Sequence, residues 1–180
     1  MGNTGNYVLS AYKVVFKDLT EVFQCAVVGP TAFGGLSSRP VIPDHTLLFI
    51  TFDEEDEAFY YAGLLNSLPA RAALYSASVG VQTQRYFPTD VSRVVLPDFN
   101  SKEKDHREVV RISKECHKKA VHGAGSFTPS EAELELSAAV STMWNISRDE
   151  LKHVADYYAE IQTLRSRVRA QAEDESGSDL

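Results

Sequence analysis

Thr46-Leu-Leu-Phe-Ile-Thr-Phe52 runs without a break into Asp53-Glu-Glu-Asp-Glu57 and then Ala58-Phe-Tyr-Tyr-Ala-Gly-Leu-Leu-Asn-Ser67. The first stretch is short and rich in β-branched and aromatic residues, as a strand requires. Asp53 is placed to cap a helix, and the acids after it face the positive end of the helix dipole. Ala58, Phe59, Ala62 and Leu65 recur at helical spacing, and Asn66-Ser67-Leu68-Pro69 ends the pattern. The acidic run therefore reads as a solvated helix start, not a metal site. A strand passing directly into a helix makes the chain a mixed one.

The same signals extend in both directions. Toward the N-terminus, Tyr12-Lys-Val-Val-Phe16 and Phe23-Gln-Cys-Ala-Val-Val28 read as strands, followed by a glycine- and proline-marked loop from Gly29 to Pro40. Toward the C-terminus, Ser76 to Phe87 alternates weakly, and Val91-Ser-Arg-Val-Val-Leu96 reads as a further strand closed by Pro97-Asp98. A helix is expected from about Glu103 to Ala120, burying Val109, Ile112, Cys116 and Ala120. Thr128-Pro-Ser-Glu131 and Ser147-Arg-Asp-Glu150 are capping boxes that open two more helices. Leu151, Val154, Tyr158, Ile161, Leu164 and Val168 mark one face of the second. The expected fold class is α+β: a mixed small β-sheet domain with packed helices and a helical C-terminal region. The division is 1–125 for the sheet domain, 126–172 for the C-terminal helices and 173–180 for a disordered acidic tail.

Composition narrows the function classes. The chain has 180 residues, of which 43% are hydrophobic, enough for one core. A net charge of −7 argues against a strongly basic nucleic-acid binder. Asp53 to Glu57 and the tail from Glu173 to Asp179 hold nine acids between them, more than the whole net charge, so the rest of the chain is slightly cationic. Cys25 and Cys116 are far apart, form no Cys-x-x-Cys pair and read as reduced thiols. With no signal peptide and no apolar run of membrane-spanning length, the expected location is cytoplasmic, with no membrane partner.

Catalytic motifs are missing. There is no P-loop and no Gly-x-Ser-x-Gly elbow, and Gly34-Gly35 alone is a weak phosphate signal. Adjacent Cys116 and His117 diverge by about 100° on a helix, so with His106 and His122 they make a poor metal set. Two features suit nucleic acid. Arg107, Arg111, Lys114 and Lys118 share a helix face and read either as a phosphate-neutralising surface or as an ordinary solvated one. Gln82-Thr-Gln84-Arg85-Tyr86 offers side chains that match adenine and guanine edges. On an extended segment Gln82, Gln84 and Tyr86 share one side, with Arg85 opposite; the bland reading is a polar exposed strand.

Five stretches in order resemble the C-terminal target-recognition (specificity) region of Type IIG-like restriction enzymes and phage-defence adenine-N6 DNA methyltransferases. They are Tyr12-Lys-Val-Val-Phe16 leading to Pro43-Asp-His-Thr46, Glu57 to Leu64-Leu-Asn-Ser67, Val94-Val-Leu-Pro-Asp-Phe99, His106-Arg-Glu-Val-Val-Arg-Ile-Ser-Lys-Glu-Cys-His117, and Leu134 to Glu150 with Trp144-Asn-Ile-Ser-Arg-Asp-Glu150. The resemblance spans about Tyr7 to Leu164. Each motif is short, and the order and spacing carry the match. It implies a DNA sequence-recognition module of a restriction–modification system. Its partners would be double-stranded DNA and a methyltransferase or nuclease catalytic module in cis or in trans. The family's Asn/Asp-Pro-Pro-Tyr/Phe adenine site, glycine-rich S-adenosylmethionine pocket and nuclease motif are not in this sequence. The chain is therefore expected to be no enzyme by itself and to take no cofactor. The alternatives are a protein–protein docking module of such a system and a small enzyme with an unrecognised site.

Overall fold

The computed structural model describes residues 5–177 apart from 21, 33, 36, 78–83, 87 and 121–130, and omits the side chains of 84, 88, 162, 165, 166 and 168–177. A single 3-10 turn at Asn6–Leu9 leads into strands β1 (Tyr12–Lys17), β2 (Leu19–Thr20), β3 (Cys25–Val28) and β4 (Leu47–Phe52). Helices α1 (Glu55–Asn66) and α2 (Leu68–Ala77) follow, then strand β5 (Gln84–Arg85) and the one-turn α3 (Pro88–Val91). Three longer helices close the described chain: α4 (Lys104–Ala120), α5 (Glu131–Met143) and α6 (Arg148–Gly177). The fold is α+β.

The main sheet has the order β3-β1-β4 and is antiparallel throughout. Its register sets Tyr12, Val14 and Phe16 beside Phe52, Ile50 and Leu48, so one face is apolar across the sheet. Against that face α1 lays Ala58, Ala62 and Leu65. The other side of α1 presents Tyr60 and Leu64 to Val109 and Ile112 of α4 and to Leu136 and Val140 of α5. With apolar residues on both sides, α1 is the shared wall of two cores.

Three joints hold the elements in place. The Asn66 side chain, at the end of α1, accepts from the Cys25 N–H at 3.0 Å and donates to the Cys25 carbonyl at 2.8 Å. It completes the hydrogen bonding of β3 as a neighbouring strand would. Leu68 N–H donates to Ser137 Oγ at 3.0 Å, and buried Arg71 reaches Glu133 at 3.0 Å, tying α2 to α5. Between α5 and α6, Ile146 N–H returns to the Ser141 carbonyl at 2.9 Å and Asn145 N–H to Thr142 at 3.3 Å, with Asn145 left-handed at φ 54°. This is a Schellman close.

Several expectations are met at element level. Strands β1 and β4, helix α4 and the second capping box fall where the pattern places them; Ser147 N–H donates to Glu150 and Glu150 N–H to Ser147 Oγ. Residues 128–130 of the first box lie outside the described residues. Others are corrected. Helix α1 starts one residue late, with Glu54 at the cap and no side-chain cap bond. The Asn66 to Pro69 punctuation ends α1 but opens α2 at once, since proline fits a helix's first turn. Val91 to Leu96 is not a strand: α3 takes Val91, and the rest is a turn and an extended segment. Its alternation is real, with Val94 and Leu96 packed inward and Val95 83% exposed, but it has no ladder partner among the described residues. Ala120 is exposed, because α4 has passed its partners beyond His117. Finally, α6 continues helical through Gly177, where disorder was expected from Glu173. Once a capped helix is nucleated, each added residue gains a hydrogen bond.

Candidate nucleic-acid interface

Strands β2 and β5 pair antiparallel, Leu19 beside Arg85 and Thr20 beside Gln84, as a two-stranded ribbon separate from the main sheet. Tyr86 N–H extends the pairing with a 2.7 Å bond to the Asp18 carbonyl. Arg85 stands out from the ribbon with its side chain 54% exposed, 3.9 Å from the Asp18 carboxylate. Leu19, its cross-strand neighbour, is exposed as well. Lys17, at the end of β1, is a further exposed cation two residues before Leu19.

Tyr86 is elsewhere. It is 1% exposed and meets Phe23 edge-on at 5.2 Å, inside the core under the sheet. Its assignment to a DNA-reading face is therefore corrected. An aromatic ring next to a core phenylalanine gains more by burial than by standing in water beside Arg85. Gln82 lies outside the described residues; Gln84 is placed by its backbone, in β5.

The expected cationic face of α4 is built, but two of its four cations, Arg111 and Lys114, are ion-paired. Arg111 contacts Glu108 at 2.8 Å, Glu115 at 3.2 Å and Glu135 of α5 at 2.9 Å. The hydrogen bonds it donates to Glu108 and Glu135 hold its pKa above the ordinary arginine value. Lys114 contacts Glu55 and Asp56, both at 2.7 Å, and lies over the Phe59 ring. Partial burial works against its charge, yet the two carboxylates outweigh it and raise its pKa. The acids that open α1 thus serve as counter-ions to α4. Arg107 donates to the carbonyls of Ser101 and Lys102, closing the loop before α4. Lys118 is exposed, with no ion-pair partner among the described residues.

Several of the residues quoted for the resemblance hold the fold together. Asn66 and Ser67 form the joint to β3 and the end of α1. His106 stacks on buried Tyr60 at 4.7 Å and accepts from the Asn100 N–H. Trp144 Nε1–H donates to the Val95 carbonyl at 3.1 Å, holding the extended segment to the end of α5. Burial pushes the Cys25 thiol up to about 12, so its sulfur, facing the Ala62 carbonyl, is a poor nucleophile. Among the described residues no group of three or more His, Cys, Asp or Glu could hold a metal ion, and no helix is long and apolar enough to cross a membrane. No protein-family profile matches the chain, and no curated protein sequence matches it significantly.

Proposed function

We propose that the chain is the DNA sequence-recognition part of a restriction–modification or phage-defence methyltransferase, working with a catalytic module in cis or in trans. The observation that carries this reading is the exposed β2–β5 ribbon with Arg85 on its surface. A two-stranded ribbon is narrow enough for the major groove, where arginine pairs in bidentate fashion with guanine. The resemblance to target-recognition regions points the same way. Exposed Lys17 and Lys118 are available for phosphate, whereas Arg111 is already held by three carboxylates.

Competition binding against randomised duplexes, with the catalytic partner joined if affinity is low, tests the reading. Arg85→Ala is expected to relax preference at one base position by roughly 1–3 kcal/mol while nonspecific affinity holds. Arg111→Ala is expected to leave DNA affinity unchanged. Unaltered preference in a folded Arg85→Ala variant would remove the ribbon from the reading surface.

A second reading, a protein-docking module, is favoured by the charge pairing on α4 together with the net charge of −7. Steep salt dependence of duplex binding supports phosphate contacts. No duplex binding even at low salt supports docking.

A further inference from the structure

The main sheet is closed at one edge and open at the other. On the β3 side, the Asn66 side chain bonds both the N–H and the C=O of Cys25. In an antiparallel strand the N–H and C=O of one residue point the same way, and successive residues alternate. Cys25 therefore points away from β1, and Ala26 points toward it, bonding Val15. By the same alternation Val14 and Phe16 point the other way, to Ile50 and Leu48 of β4. Phe49 and Thr51 are left to aim their N–H and C=O groups out from the sheet. The Leu47 N–H fits this alternation, since it bonds the Asp44 carbonyl at 3.0 Å instead of β1. The outward groups of Phe49 and Thr51 have no hydrogen-bond partner among the described residues. Leu47–Phe52 carries no charge, no proline and no bulge, the devices that usually protect a bare edge, and all of it is half-buried.

An open edge of this kind accepts an added strand, and the charges around β4 select which one. The stretch from Pro40 to Ala70 holds Asp44 and the five acids 53–57 but no lysine or arginine. His45 bonds Asp44, and Lys114 takes Glu55 and Asp56. Asp53 and Glu54, where β4 ends, are exposed and have no ion-pair partner among the described residues. A second copy paired antiparallel would bring Asp44 of one chain toward Asp53 and Glu54 of the other. Paired parallel, it would set Asp53 and Glu54 against themselves. Neither arrangement supplies a cation from the strands that meet. Phosphate is repelled by the same carboxylates, so the edge is no nucleic-acid surface and its role is independent of the ribbon. We infer that the open edge of β4 takes an extended segment of a partner protein, rich in β-branched residues and carrying lysine or arginine where it passes Asp53 and Glu54.

Titration of the full chain with a short peptide, in which threonine and valine alternate between paired lysines, tests this. Amide exchange at Phe49 and Thr51 is expected to slow on saturation, whereas Leu48 and Ile50 are already protected within the sheet. Methylating the central peptide nitrogens should weaken binding about tenfold, because the donors to the Phe49 and Thr51 carbonyls are lost. Asp53→Asn combined with Glu54→Gln should weaken it about fivefold and flatten its salt dependence. Thr51→Pro should abolish it with unchanged circular dichroism, since that N–H makes no bond within the sheet. Should that variant not fold, the methylated peptide still decides. Absence of binding, equal affinity for the methylated peptide or for one flanked by glutamates, or a dimer of the chain alone that Thr51→Pro dissolves would each overturn the proposal.

Discussion

At Gly63 a single hydrogen atom decides how closely two helices approach. A Cβ there would sit 2.8 Å from Val109 Cγ1, closer than carbon atoms tolerate, and a tight 3.2 Å from Ser113 Cβ. Gly63→Ala gains helix propensity but overpacks the contact between α1 and α4, and a net loss of about 1–2 kcal/mol is expected. Urea denaturation measures it; a variant as stable as the parent would show that parting the two helices costs no more than the propensity gained. His117, edge-on to Phe59, makes the second residue-level case. Burial lowers its pKa from the usual 6.5, so the unfolded chain binds the proton more readily than the folded one. Stability is then full above that value and falls as pH drops through the lowered one. In thermal melts from neutral pH down to about 5, where histidine is the side chain that titrates, His117→Leu should lose less Tm than the parent. Equal losses would place the acid sensitivity elsewhere.

The elements are joined by features of different legibility. The box Ser147-Arg-Asp-Glu150 announces α6 in sequence, and its reciprocal bonds are formed. The close of α5 is less visible, because no glycine marks it and Asn145 is a weaker signal for the left-handed residue. Asn145 does so at φ 54°. Asn145→Gly should preserve or slightly raise stability, while Asn145→Ala should cost about 1 kcal/mol. Indistinguishable alanine and glycine variants would mean that the bonds of Ile146 and Asn145 hold the turn regardless of residue. Val91 to Leu96 illustrates the limit of pattern reading. Its alternation marks which side chains face inward, but a strand also needs a neighbour for its backbone. Here the Val95 carbonyl finds an indole instead.

On the scale of the whole molecule, α1 sits in both hydrophobic cores, and Phe59 and Leu96 pack against each. Loss of one core strips a wall from the other, so a single unfolding transition is expected. Fluorescence of Trp144, the chain's one tryptophan, reports the core between α1, α4 and α5. It should melt at the same temperature as far-UV circular dichroism, and two separated midpoints would show that the cores unfold independently. The charge distribution also belongs to this scale. Arg107, Arg111, Lys114 and Lys118 do share the helix face read from their spacing. Spacing along one helix is silent, however, about Glu55, Asp56 and Glu135, which arrive from other elements.

Local order was therefore determined by the sequence alone. Hydrophobic period, caps and turns specify the strands of the main sheet, the long helices and the α+β class, because each rests on interactions within a few residues. Tertiary structure decided which of those surfaces remain surfaces. It turned Tyr86 into core against Phe23, left Arg85 outside on a ribbon that pairs it with Leu19 from far back in the chain, and set acids of α1 and α5 against the cations of α4. Burial and charge pairing depend on residues distant in the chain, so no local pattern contains them.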